Sequence, residues 1–214
     1  MKIQRPDIPH GLKQITDLTT LLREDTVLSG LLVEQAEADG IRAKGADIQE
    51  SRLIKCHISQ AAIEKLHVRD CVLDGCDLTA SSFPDSSWHA VEVVNARCSG
   101  IQLQMNTLKN VLFKNCKLDL ANFRFAKLEN VIFDSCIITE MDFYSARLKN
   151  VVFIQSAIED VTFSDAVLKN VDISASPIIR IKGLRGLKGA LINPEQLMQL
   201  APYFAQEVGI IVKD

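Results

Sequence analysis

Six cysteines, four histidines, a glycine-rich basic loop and scattered carboxylates are the residues of this chain that could do chemistry. Cys56, Cys71, Cys76, Cys98, Cys116 and Cys136 could bind a soft metal or exchange disulfides, if their thiolates were exposed or converged with other ligands. His57, His67 and His89 could act as general bases or metal ligands. Gly183-Leu-Arg-Gly186-Leu-Lys-Gly189 could cradle an anion on its backbone N–H groups. No spacing matches a nucleophile elbow, a phosphate loop or a zinc site. What these side chains can do therefore depends on where they point, and that is set by the elements that carry them.

The elements follow a period of five. Every fifth residue from Ile48 to Ile178 is apolar, 27 positions without an exception, which a chain of 47% hydrophobic residues does not produce by chance. Seven of the nine Phe lie in this register. Two residues before each of these centres stands a mostly small residue, dominated by Ala, Val, Cys and Ser. A helix repeats at 3.6 and a strand at 2, and neither gives a strict five. One large and one small residue per five must point inward, with a corner every five residues.

A second period lies on top. The segments starting at Leu108, Leu128, Leu148 and Leu168 each read Leu-(Lys/Glu)-Asn-Val, twenty apart. Four corners make one square coil, and residues twenty apart stack at the strand spacing of about 4.8 Å. Phe113, Phe133 and Phe153 form one column, and Phe123, Phe143 and Phe163 the next.

These fives, such as Ala121-Asn122-Phe123-Arg124-Phe125, Cys116-Lys117-Leu118-Asp119-Leu120 and Cys76-Asp77-Leu78-Thr79-Ala80, resemble the A(D/N)LXX consensus of the pentapeptide-repeat proteins. The resemblance runs from about Thr26 to Arg180. It implies an all-β solenoid, a right-handed quadrilateral β-helix. Residues 1–25 are expected as an N-terminal helical cap, because Leu12, Ile15, Leu18, Leu21 and Leu22 fall at helical spacing. Residues 26–183 form the β-helix, and residues 184–214 a C-terminal helix and strand. Asn193-Pro194-Glu195-Gln196 is a helix start with a capping box and Pro at the first position. Pro202 should kink or split that helix, Gly209 should end it, and Ile210, Ile211 and Val212 should add a short strand.

The register places all six cysteines inward, as small buried apolar residues rather than thiolates. His57, His67 and His89 face outward, so no Cys/His site forms. The interior of a coil stack is filled, and no catalytic residue, cofactor or metal is expected. The Gly-rich loop is expected as the turn into the cap.

Function must then lie on the outer faces. Leu112, Ile132 and Val152 form an outward apolar column with Ile154 beside it, a candidate strip for a protein partner. Lys109, Lys127, Arg147, Lys149 and Lys169 make one face basic, edged by Asn110, Asn130, Asn150 and Asn170, which can hydrogen-bond as a ladder. Asp119, Glu140, Glu159 and Asp160 make another face acidic.

The ending is similar to that of the bacterial quinolone-resistance (Qnr-type) and mycobacterial fluoroquinolone-resistance pentapeptide proteins. That resemblance implies a homodimer through the C-terminal module, with Leu197, Leu200, Tyr203, Phe204, Val208, Ile210, Ile211 and Val212 at its interface. It also implies DNA gyrase or topoisomerase IV as partner, engaged by DNA mimicry through an acidic face. The Qnr-type loops that interrupt the coils have no counterpart here, and the net charge of -3 is weak for a mimic. The favoured expectation is a non-catalytic interaction module with a protein partner, and the gyrase-directed mimic is the alternative. With 24 Lys+Arg against 27 Asp+Glu, direct nucleic-acid binding is not expected. No apolar run spans a membrane and Met1 to Pro6 lacks an apolar signal segment, so a cytoplasmic location is expected.

Overall fold

Corners set the architecture. In the computed structural model, which describes residues 1–211, every fifth residue from Asp25 to Asn170 has positive φ, close to the left-handed helical region. Five of these corners are glycine (Gly30, Gly40, Gly45, Gly75 and Gly100), and none is Val, Ile, Thr or Pro. That exclusion is steric: a branched Cβ collides with the backbone at this φ. Between corners the chain is extended. Parallel pairing joins residues twenty apart, for example Leu108 with Leu128, Leu128 with Leu148, and Leu148 with Leu168. The result is the expected right-handed quadrilateral β-helix, running from Lys13 to Leu191.

The inward register is as read. All the centres from Ile48 to Ile178 are buried. Phe133 stacks between Phe113 at 5.2 Å and Phe153 at 4.8 Å, with planes within about 10°. Phe143 lies between Phe123 and Phe163, at 5.3 Å from each. The two columns meet edge to face, as at Phe113 and Phe123, which is the arrangement that ring quadrupoles favour.

The small register has a use for its hydroxyls. Ser51, Ser81, Ser86, Ser156 and Ser176 each accept, through Oγ, the backbone N–H of the residue twenty before. A buried hydroxyl is thereby satisfied by the coil below. Asn106 does the same through Oδ1 to Ser86 N–H at 3.0 Å, but its buried Nδ2 has no partner.

The N-terminal helical cap is not formed. Residues 13–15 are a strand paired with Leu31–Glu34, and the chain ahead of it forms neither helix nor strand. Asp17 accepts from the N–H groups of Thr19 and Thr20 and from both hydroxyls, which closes one turn and diverts the backbone from a helix. Leu18 and Leu22 then plug the open end of the core. Leu18 belongs to the five-residue register and to the apparent helical spacing alike, and sheet pairing decides between them.

At the other end the helix Pro194–Glu207 forms with its capping box: Asn193 Oδ1 accepts Gln196 N–H, and Gln196 Oε1 accepts Asn193 N–H, both at 2.8 Å. Gln196 is buried and donates to the carbonyls of Ile173 and Ser176, so the helix seals acceptors left by the last coil. Pro202 does not split the helix, which continues to Glu207. Gly209 ends it at φ +79° in a Schellman arrangement, with Ile210 N–H to Ala205 O and Gly209 N–H to Gln206 O. The expected final strand is not formed at Ile210 or Ile211, which have no ladder partner. Val212 lies outside the described residues.

Candidate functional site

No pocket chemistry is built from the interior. All six thiols are free and buried. Burial pushes the Cys71 thiol up to about 12, so it stays protonated and inert near neutral pH. In the stacked pairs Cys76 is raised by Cys56 and then by burial, and Cys136 by Cys116 and then by burial, whereas the hydrogen bond with Cys76 lowers the buried Cys56 thiol to about 7. An apolar cavity of about 30 Å³ lies among Ile48, Leu53, Ile58, Leu73 and Leu78, where aliphatic chains replace the Phe columns. It has room for a single water-sized sphere and no polar wall.

The glycine-rich loop is the turn into the cap, as expected. Gly183 sits at φ +74°, and a Cβ on Gly186 would come within 1.7 Å of the Phe163 carbonyl oxygen. Glycine is required there by close backbone approach rather than by a ligand.

One polar cluster escaped the reading of the register. Glu37, Asp39 and His57 stack on one outer face with ligand atoms within 4.8 Å of one another. All three are exposed, and Asp39 already accepts the Ser59 N–H at 2.6 Å. The signal was available, since Glu37 and His57 are twenty apart.

The outer columns are where the sequence placed them. The strands Thr107–Lys114, Lys127–Asp134 and Arg147–Ile154 carry Leu112, Ile132 and Val152 in paired register. Ile132, Val152 and Ile154 are half-buried, whereas Leu112 is only 6% exposed. Its cover is the chain's own N-terminus: Met1, Lys2, Ile3 and Arg5 border a cleft floored by Leu112 and Ile132. The neighbouring asparagines form the expected ladder, Asn170 to Asn150, Asn150 to Asn130 and Asn130 to Asn110, at 2.9 to 3.1 Å.

The acidic set is contiguous, and two of its four members are paired. Thr139 and Glu159 are strand partners, and Glu140 N–H donates to the Glu159 carbonyl. Asp119 accepts Ser99 Oγ and lies 3.7 Å from the Lys117 ammonium. Asp160 is gripped by the Arg180 guanidinium, which holds its carboxyl below the ordinary value, with Lys182 at 3.6 Å. Among the described residues, Glu140 and Glu159 alone of the four lack an ion pair. By contrast Lys109, Lys127, Arg147 and Lys169, all on the basic face, have none among the described residues.

The eight residues expected at a dimer interface divide. Leu200 is buried and Phe204 packs partly against the core, so both serve the cap. Leu197, Tyr203, Val208, Ile210 and Ile211 are exposed, together with Met198.

A family model described as pentapeptide repeat region matches residues 46–123. The same five-residue register and the same corners continue beyond that segment, so one right-handed quadrilateral β-helix runs throughout the coils. No curated protein matches the chain. Among solved structures it is similar to full-length QnrB1, a plasmid-mediated fluoroquinolone resistance protein, at 15% identity and a TM-score of 0.39, covering 94% of this chain and 100% of that one. It is also similar to HetL, a pentapeptide repeat protein involved in heterocyst differentiation regulation from the cyanobacterium Nostoc, at 16% identity and a TM-score of 0.33, covering 84% and 90%.

Proposed function

We propose that the chain is a non-catalytic interaction module of the cytoplasm, presenting one face of a rigid rod to a protein partner. The observation that carries this is the contiguous outward column Leu112, Ile132 and Val152, with Ile154 beside it, on a sheet whose other face is a filled core. Aligned branched side chains on a preformed sheet bind with little ordering cost, which is how apolar anchors gain affinity. The proposed partner is a protein rather than a nucleic acid or a membrane. No helix among the described residues is long and apolar enough to cross a membrane. The exposed Leu197, Met198, Tyr203 and Val208 support a homodimer through the C-terminal helix.

The test is affinity capture with the wild type beside an Ile132→Lys/Val152→Lys variant of unchanged circular dichroism. Proteins held by the first and released by the second are the partners sought. Identical capture by both would reject the strip.

A gyrase-directed DNA mimic is the second reading. It is supported by the rod shape and by the unpaired Glu140 and Glu159, and opposed by the ion pairs on Asp119 and Asp160. It requires that the protein alter gyrase supercoiling or its fluoroquinolone sensitivity at micromolar concentration, and that Glu140→Gln/Glu159→Gln weaken the effect. No effect at tens of micromolar would end it.

A further inference from the structure

The first seven residues lie lengthwise along the rod instead of winding round it. Asp7 N–H donates to Asp70 Oδ1 at 3.1 Å. Arg5 Nη1 meets Glu92 at 2.5 Å. Met1 to Ile3 stand over Leu112 and Ile132. Because Asp70, Glu92 and Leu112 belong to three successive coils, the arm climbs the stack as it approaches its own N-terminus.

Burial records the same footprint. In the corner column beside this face, Asp70, Ala90 and Asn110 are buried, although corner side chains elsewhere point to solvent. The next corners of that column, Asn130, Asn150 and Asn170, are not buried. Ala90 is wholly buried, a small residue where most corners are long or polar.

The arm is held by little. Residues 1–12 contribute no strand, and Pro6 and Pro9 have no N–H to give. Arg5 remains largely exposed, so its ion pair stabilises little. A cleft of about 340 Å³ is lined by Met1, Lys2, Ile3 and Arg5 of the arm together with Leu112 and Ile132 of the sheet. An element with few buried contacts and no ladder opens at low cost.

We propose that the Leu112, Ile132 and Val152 column is a groove for an extended protein segment carrying a branched apolar residue two positions before an arginine. Residues 1–7 occupy the groove in cis, and a partner binds by displacing them. The occupant's chemistry is read from the arm itself. Ile3 is half-buried over the apolar floor and Arg5 reaches a carboxylate, while Asp70 and Glu92 favour a cation along this edge. A tethered arm competes at high effective concentration, so only a partner with additional contacts, such as those beyond the arm at Val152, dislodges it. This rests on the reading of the column as the contact strip, and names its occupant and its control.

The probe is a fluorescent peptide of residues 1–8, titrated by anisotropy against three full-length proteins of unchanged circular dichroism. They are the wild type, an Ile3→Asp/Arg5→Glu variant whose arm is released, and that variant with Leu112→Lys. The expected result is binding at least tenfold tighter to the released variant than to the wild type, and a loss of tenfold or more on adding Leu112→Lys. Equal affinity for the first two, or no binding to any at millimolar peptide, overturns the cis occupancy. Binding that depends on arm release but survives Leu112→Lys overturns Leu112 as the floor. A wild-type dimer that the Ile3→Asp/Arg5→Glu change dissolves overturns the assignment in favour of arms exchanged between two copies. The contact-strip reading fails separately, through unchanged partner capture by a Val152→Lys variant, since Val152 lies beyond the arm.

Discussion

The Asn130 side-chain amide donates to Asn110 Oδ1 at 3.1 Å, and both residues hold φ at +56°. One residue type thus meets two demands at the same corner. Its short polar side chain tolerates the left-handed backbone, and its amide bonds along the column. Asn130→Ala is expected to destabilise by about 1–3 kcal/mol, the sum of a left-handed penalty and a lost hydrogen bond. Asn130→Gly, which keeps the backbone freedom, is expected to lose less. Urea unfolding of the two variants separates the terms, and equal losses would mean that the corner conformation contributes nothing.

Leu120 and Phe125 occupy corners at φ +57° and +59° with about half of each side chain exposed. A bulky apolar residue gains little there and strains the backbone. Leu120→Asn is expected to raise stability by about 1 kcal/mol. A drop in the urea midpoint would show that the leucine makes contacts worth more than the strain.

Phe133 is flanked by rings above and below and by a second column at its edge. Phe133→Ala is expected to cost about 3–5 kcal/mol, and Phe133→Asp to prevent soluble expression, because an unpaired charge cannot be buried at this depth. Soluble, folded Phe133→Asp protein would contradict the inward assignment.

The Cys71 thiol ionises near 9.0 when free and near 12 in the fold. The folded chain therefore binds more protons than the unfolded chain between these values, and stability falls as pH rises through that window. Below about pH 9 the contribution is intact, and by pH 12 the loss attributable to this group is at most about 4 kcal/mol. Cys71→Ala should flatten the alkaline limb of the stability curve. An unchanged limb would place the titrating group elsewhere.

Asn106 spends its Oδ1 on Ser86 N–H and leaves a buried Nδ2 unpaired. A serine at that position would keep the acceptor without the orphan donor, as Ser86 does one coil below. Asn106→Ser is expected to be neutral or stabilising by about 1 kcal/mol, where most core truncations destabilise. Thermal unfolding decides it.

Most of the fold was legible because a solenoid writes its geometry in one dimension. The centres, the small inward residues, the twenty-residue columns and the asparagine ladder all follow from counting. The corners were legible in position but not in conformation, although the absence of Val, Ile, Thr and Pro from every fifth position between Asp25 and Asn170 was the signal for a left-handed backbone. What failed was local. Leu12 to Leu22 satisfy helical spacing, but Asp17 turns the backbone and Leu18 answers to the sheet. The outward strip was visible as a column, yet its cover was not, because residues 1–7 have no period and reach their partners across 63 to 87 residues of sequence.

The corners also make the chain a ruler. Each coil is bonded only to the coils beside it, so removing twenty residues takes one storey out and lets the remaining floors close up, shortening the rod by about 4.8 Å. Removing five residues keeps every corner at a left-handed position but rotates all later columns by a quarter turn. Removing a number that is not a multiple of five puts branched residues on the corners. A lineage that inherits such a chain can change its reach only in whole steps, and the length of the rod, rather than the identity of any one side chain, is the property most easily inherited intact.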